Sequence, residues 1–174
     1  MTSDSARTPA PGGERGDLLS ALSEHRWLFT QTLTDLSDEQ AAARTTVSEL
    51  CLGGLVKHVA QTEAQWADFA VHGAGGLPSF ADTDFQARAD SFRMLPGETA
   101  AGVLADYAAV AARTDELVRT LDLDLAHDLP EAPWFEPGRW SVRRVVLHVL
   151  AEVAQHAGHA DLLREAVDGR KSMG

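Results

Sequence analysis

Apolar positions fall into four long stretches of helical period, set apart by segments that glycine and proline interrupt. From Asp17, the residues Leu18, Leu22, Phe29 and Leu33 recur on one side of a helix, which is predicted to end before Ser37. Ser37 followed by Gln40 has the form of a capping box and predicts a short helical turn. A second long helix is expected from Leu52 to about Val71, with Leu55, Val59, Thr62, Trp66 and Phe69 on its stripe, His58 at the border, and His72-Gly73 as its close. A third spans roughly Glu98 to Leu121 on Val103, Leu104, Tyr107, Val110, Leu117 and Val118. Ser141 is a natural N-cap for a fourth, which continues to about Asp168 and stops at Gly169, a residue suited to the left-handed closing conformation.

The intervening segments fit one bundle. Met1 to Gly16, rich in Ser, Pro, Gly and charge without period, is expected to be a flexible tail, leaving 17–174 as the folded domain. Gly73 to Gly97, with Gly75, Gly76, Pro78 and Pro96, is predicted to be a long crossover connection. Asp122 to Trp140 sets Pro130, Pro133 and Pro137 among Trp134, Phe135 and Trp140, so an ordered apolar loop over one bundle end is expected there. With no internal repeat and no run of β-type alternation, the predicted fold class is an all-α four-helix bundle.

Composition narrows the function classes. At 174 residues with 44% hydrophobic and 24% charged positions, the chain is long enough to bury a core and too apolar for general disorder. A formal charge of -11 repels phosphate, and the one local basic group, Arg139, Arg143 and Arg144, is expected to be a solvated helix start, so nucleic acid is not an expected partner. No apolar run reaches the roughly 18 residues of a membrane span, and the N-terminus lacks a secretory pattern. A cytoplasmic location is expected. The single cysteine, Cys51, excludes an internal disulfide and a cysteine-cluster metal site, and is expected to be a small buried filler. Histidine and carboxylate remain as the plentiful metal ligands.

Such ligands stand together on the fourth helix. A rotation of about 100° per residue puts Glu152 and His156 on the face that carries Val142, Val145, Val149 and Leu163. A carboxylate and an imidazole in a core stripe cost several kcal/mol unless they find partners. Four residues apart, they can aim two donors at one point, and His58 on the facing helix can add a third while leaving positions open for water or substrate. Alternatively, Glu152 and His156 bond each other within a polar core network. His159 is expected to line the pocket or support a ligand, His148 and His25 to pack at apolar borders, and His127 and His72 to sit in a loop or at a helix end.

Two segments resemble a known family: Gly54-Leu-Val-Lys-His-Val-Ala-Gln-Thr-Glu-Ala-Gln-Trp66, and Trp140-Ser-Val-Arg-Arg-Val-Val-Leu-His-Val-Leu-Ala-Glu-Val-Ala-Gln-His-Ala-Gly-His-Ala-Asp-Leu-Leu-Arg-Glu165 with Asp168-Gly169 beyond it. With the Leu36-Ser-Asp-Glu-Gln40 turn, they make the chain similar to DinB-like proteins, in the branch of mycothiol-dependent thiol transferases and the metal-binding domain of mycothiol-dependent maleylpyruvate isomerase. The resemblance implies a four-helix bundle with a long crossover and a divalent metal held by His58, Glu152 and His156. Zinc is the expected ion, although imidazole and carboxylate also suit nickel and iron. Many members carry histidine where this chain has Glu152, so the mixed set leans toward the isomerase-like branch. The isomerase has a further C-terminal domain at its substrate site, which argues against maleylpyruvate as substrate here.

The function so implied is metal-dependent S-transfer from mycothiol to a small electrophile, as in detoxification. His159, or secondarily His25, would move a proton or orient the thiol, and Arg164 would contact a carboxylate of cofactor or substrate. The alternatives are a metal-dependent hydrolase, a mycothiol-dependent isomerase, and a non-catalytic metal-binding stress-response module. A homodimer is expected from the resemblance alone.

Overall fold

Four long helices pack around a ring in the computed structural model, which describes residues 12–78, 81, 84–133 and 135–172. They are α1 (Glu14–Gln31), α3 (Leu52–His72), α5 (Ala100–Thr120) and α6 (Val142–Asp168). Two short helices, α2 (Asp38–Ala42) and α4 (Phe85–Ser91), lie in the connections, and a 3-10 turn at Gly73–Gly76 follows α3. α3 packs on α5 and α6, and α1 closes the ring against the same two helices. Leu22, Phe29, Leu33, Leu55, Val56, Val59, Phe69, Val142, Val149 and Val153 are buried at its centre. Each such side chain contributes roughly 1.5–3 kcal/mol of transfer free energy, which makes the shared core the main cohesive element. No helix among the described residues is long and apolar enough to cross a membrane.

Local chemistry accounts for most boundaries. The Ser37 side chain accepts from the Gln40 backbone N–H while the Gln40 side chain accepts from that of Ser37, so the expected capping box opens α2. Ser141 accepts from the Arg144 N–H at the start of α6, and Gly169 ends it at φ 80° in the left-handed region. Gly73 closes α3 at φ 65°, a conformation in which a side chain would be strained.

Two expectations need correction, and a third is refined. α1 begins at Glu14, inside the segment assigned to the tail, because Arg143 pairs with Glu14 and Arg15 donates to the Val118 carbonyl. Met1 to Pro11 and Trp134 lie outside the described residues. The long crossover is present as expected and carries the short α4, whose N-cap Asp84 accepts from the Gln86 and Ala87 N–H groups; seven residues are too few to display a helical stripe. The loop before α6 contains an antiparallel pair, β1 (Ala126–Asp128) and β2 (Arg139–Ser141), with His127 opposite Trp140. Strands this short show no alternation, and long-range pairing decides them. The pair aligns Val142 and Arg143 so that they donate to the Leu125 and Leu123 carbonyls, which docks the start of α6.

Candidate functional site

His58 on α3 faces His156 on α6, with ring centroids 5.4 Å apart and planes nearly perpendicular. Glu152, one turn before His156, places one carboxylate oxygen 3.5 Å from His156 Nε2 and the other 3.6 Å from His148 Nε2. His156 Nδ1 meets His159 Nδ1 at 3.4 Å, and His159 lies exposed beyond it. His58, His148, Glu152 and His156 are all partly buried, so the cluster sits at the rim of the core and not at its centre.

The close approach of the end of α4 and the residue after it orients His58. Ser91 Oγ donates to the Arg88 carbonyl at 2.7 Å, which uses its single hydroxyl proton. It therefore accepts from His58 Nδ1–H at 3.2 Å, and His58 is left with an unprotonated Nε2. Phe92 stacks on the same imidazole at 3.8 Å. Gly54 permits both contacts: a Cβ there would lie 2.1 Å from the Phe92 carbonyl oxygen, inside hard contact with backbone. Removal from water, followed by the charges of His156 and Arg88, pushes His58 down to about 4 against the pull of Glu152, so it is neutral at ordinary pH.

A shelf of aromatic rings borders the other end. Trp140 stacks on Trp66 at 4.9 Å, His148 presents its ring at 4.7 Å to Trp66 and 5.1 Å to Trp140, and the Arg144 guanidinium lies 4.3 Å over Trp140. Burial holds His148 below its ordinary value, with Arg144 adding to the shift and Glu152 opposing it. The hydrogen bond with His156 holds the Glu152 carboxyl below the usual carboxylate range despite its burial, with help from the three neighbouring imidazoles.

Imidazole and carboxylate are donors that suit a divalent ion, and α3 and α6 bring His58 and His156 face to face. Two imidazoles sharing one zinc through nitrogens at roughly 2.0–2.1 Å would have centroids about 5 Å apart, close to what His58 and His156 already have. The Ser91 contact has the form of the supporting hydrogen bond that a metal-bound histidine would make through its second nitrogen. Among the described residues, no three His, Cys, Asp or Glu side chains are arranged as a ready cage, in keeping with Glu152 dividing its oxygens between His148 and His156.

Arg164 lies elsewhere, and its expected contact with a cofactor or substrate carboxylate is corrected. It is 2% exposed, donates to the Thr32 and Thr34 carbonyls at 2.9 and 2.7 Å, and forks onto Asp168 through Nε and Nη2. It ties the end of α1 to the end of α6. His25 bonds the Ala21 carbonyl on its own helix, and His127 the Ala70 carbonyl. Cys51 is buried, with Sγ 3.8 Å from the Phe92 carbonyl. The residues that sequence reasoning missed are Ser91, Phe92 and Gly54 around His58, and the Trp66–Trp140 shelf around His148. A signal existed for Gly54, since the Gly53-Gly54 pair weakens a helix start and points to a close approach there, and for the His148 contact, since His148 continues the four-residue spacing of Glu152 and His156.

No curated protein matches this chain. A solved structure from Enterococcus faecalis, described as a conserved protein of locus, is similar over 92% of this chain and 100% of that one, with a TM-score of 0.69 and 15% identity, and it supports the fold alone. The mycothiol-S-transferase family model matches residues 17–169, from the first turns of α1 to the glycine that closes α6, and so takes in both facing helices and every residue of the cluster. An all-α DinB-like bundle with this match belongs to the mycothiol S-transferase family.

Proposed function

We propose that the chain is a metal-dependent mycothiol S-transferase whose divalent ion, zinc by preference, is held by His58, Glu152 and His156. The observation that supports this most is the facing of His58 by His156 across α3 and α6, with Glu152 beside it, in a chain of this family. A divalent ion here would supply the Lewis acidity that favours thiolate over thiol near neutral pH. In the transfer, the thiol gives up its proton, its sulfur pair forms a bond to the electrophilic carbon, and the leaving group departs with its own pair. No protein cysteine takes part, which agrees with the buried position of Cys51.

The protein's own groups have separate tasks. Ser91 fixes the His58 ring with Nε2 unprotonated. The contact between His156 Nδ1 and His159 Nδ1 requires one ring to donate to the other, and exposed His159 gives the released proton a route to solvent. The Trp66–Trp140 stack supplies an apolar wall beside His148.

The test is the metal content of untagged protein beside His58→Ala and His156→Ala, followed by mycothiol-dependent consumption of a model electrophile. The expected result is about one equivalent of divalent metal in the wild type, as for a single such site, lost in both variants together with turnover. Wild-type protein that takes up no metal, or variants that keep it, would overturn the proposal.

A further inference from the structure

Each of the three proposed metal ligands meets one further polar group. His58 Nδ1 donates to Ser91 Oγ at 3.2 Å, and His156 Nδ1 meets His159 Nδ1 at 3.4 Å. Glu152 has a neighbour of the same kind in His148, whose Nε2 lies 3.6 Å from Oε1 of the carboxylate, while Oε2 lies 3.5 Å from His156 Nε2. His148 and His156 stand one helical turn to either side of Glu152, so α6 itself sets the three groups in a row.

The His148 ring is held from outside that row. It stands edge-on to Trp66 at 4.7 Å and 71°, and to Trp140 at 5.1 Å and 64°. The two indoles are stacked on each other at 4.9 Å. Trp66 is buried and packs edge-on against Phe69 of the core, and Trp140 is fixed in β2 opposite His127 of β1. This shelf restricts the imidazole with Nε2 toward the carboxylate. A carboxylate only accepts, so a neutral imidazole in this place satisfies it by carrying its proton on Nε2. At 3.6 Å the pair is just beyond hydrogen-bond length, and a small turn of the carboxylate closes it.

We infer that His148 is a positioning residue, which holds Oε1 of Glu152 through Nε2–H and leaves Oε2 as the one oxygen offered to the metal. This rests on the metal-dependent reading of the site. A carboxylate free to turn can bind through either oxygen or through both, and it loses that freedom on binding. Bound through both, it would fill a position that a thiol sulfur needs. With Oε1 held, the choice is restricted before an ion arrives, in the way that ligating carboxylates are supported by outer hydrogen bonds elsewhere. The aromatic shelf thus acts on the site through His148.

The experiment measures zinc affinity, by competition with a chelating dye, and zinc stoichiometry for full-length wild type, His148→Phe, His148→Gln and Trp140→Leu. Phenylalanine keeps a ring against the indoles but has no donor. Glutamine gives up the ring but keeps an amide donor near the place of Nε2. Affinity is expected to be roughly 10–100-fold weaker in His148→Phe, close to wild type in His148→Gln and reduced in Trp140→Leu, with about one equivalent bound throughout. A residue that serves packing alone would leave His148→Phe near wild type and impair His148→Gln, and either result would overturn the inference. A second equivalent of zinc in the wild type that is lost in His148→Phe would overturn it too, by making His148 a ligand. If His148→Phe does not fold, Trp140→Leu decides, since unchanged affinity there overturns the inference and weaker affinity supports it. Long-range proton–nitrogen correlation NMR of chelator-treated wild type gives a reading free of metal. The His148 proton is expected on Nε2, and a proton on Nδ1 alone would overturn the inference. Wild type that binds no zinc removes the metal-dependent reading and this inference with it, whereas normal wild-type uptake with an unaffected His148→Phe removes this inference alone.

Discussion

At the scale of single residues, His58 shows how one hydrogen bond prepares a side chain. The Ser91 hydroxyl has one proton and gives it to a carbonyl, so the imidazole must donate from Nδ1 and keep Nε2 bare. Its titration carries a stability consequence. An unfolded histidine titrates near 6.5, and His58 is pushed down to about 4, first by burial and then by His156 and Arg88. Between those values the unfolded chain binds a proton that the folded one refuses, so stability is full above pH 6.5 and falls as pH drops toward 4. His148, also lowered by burial, acts in the same direction. Urea midpoints of chelator-treated protein should fall across this window, with a loss on the order of 1–3 kcal/mol. His58→Gln should flatten the slope, and an unchanged slope would remove His58 from the account.

At the scale of elements, the first turn of α3 decides whether the site is assembled. Gly53 and Gly54 each cost roughly 1 kcal/mol of helix propensity relative to alanine, yet the α4–α5 connection lies against them so closely that a Cβ on Gly54 would meet the Phe92 backbone. Through this approach Ser91 and Phe92 reach His58, one turn further on. Gly54→Ala should therefore destabilise the protein by about 1–3 kcal/mol despite its propensity gain, and should weaken metal uptake, read by melting temperature and metal titration. A variant as stable as wild type with full uptake would show that the connection can shift freely. The long helices and the caps of α2 and α6 were legible in the sequence because Ser37, Gln40, Ser141 and Gly169 act through neighbours in the chain. α4 and the β1–β2 pair were not, because their short segments are held by contacts from distant residues.

At the scale of the whole molecule, three helices are joined by an ion network away from the site. Arg26 of α1 bonds Glu63 of α3 at 2.5 and 3.3 Å and Asp115 of α5 at 2.7 Å. Glu63 is 1% exposed, so its charge is tolerable only with that guanidinium beside it. Arg26→Met should cost about 3–5 kcal/mol by leaving a buried carboxylate alone. The double change Arg26→Met with Glu63→Leu should recover much of that loss, because a buried pair replaced by apolar groups is often close to neutral. Denaturant unfolding of both variants checks this, and a double variant no better than the single would mean that the network contributes beyond its own charges.

The sequence by itself determined the helical class, the four long elements, the ends of α6, and the placement of Glu152 and His156 on one face. Those properties follow from periodicity and from contacts within a few residues, which the linear order contains. Only the tertiary structure decided that His58 turns to His156, that Ser91 sets its free nitrogen, that Arg164 serves the helix ends, and that Arg144 lies over Trp140. Each of these depends on side chains far apart in sequence meeting at one point, and the free energy of such a meeting resides in the packed core and not in any segment of the chain.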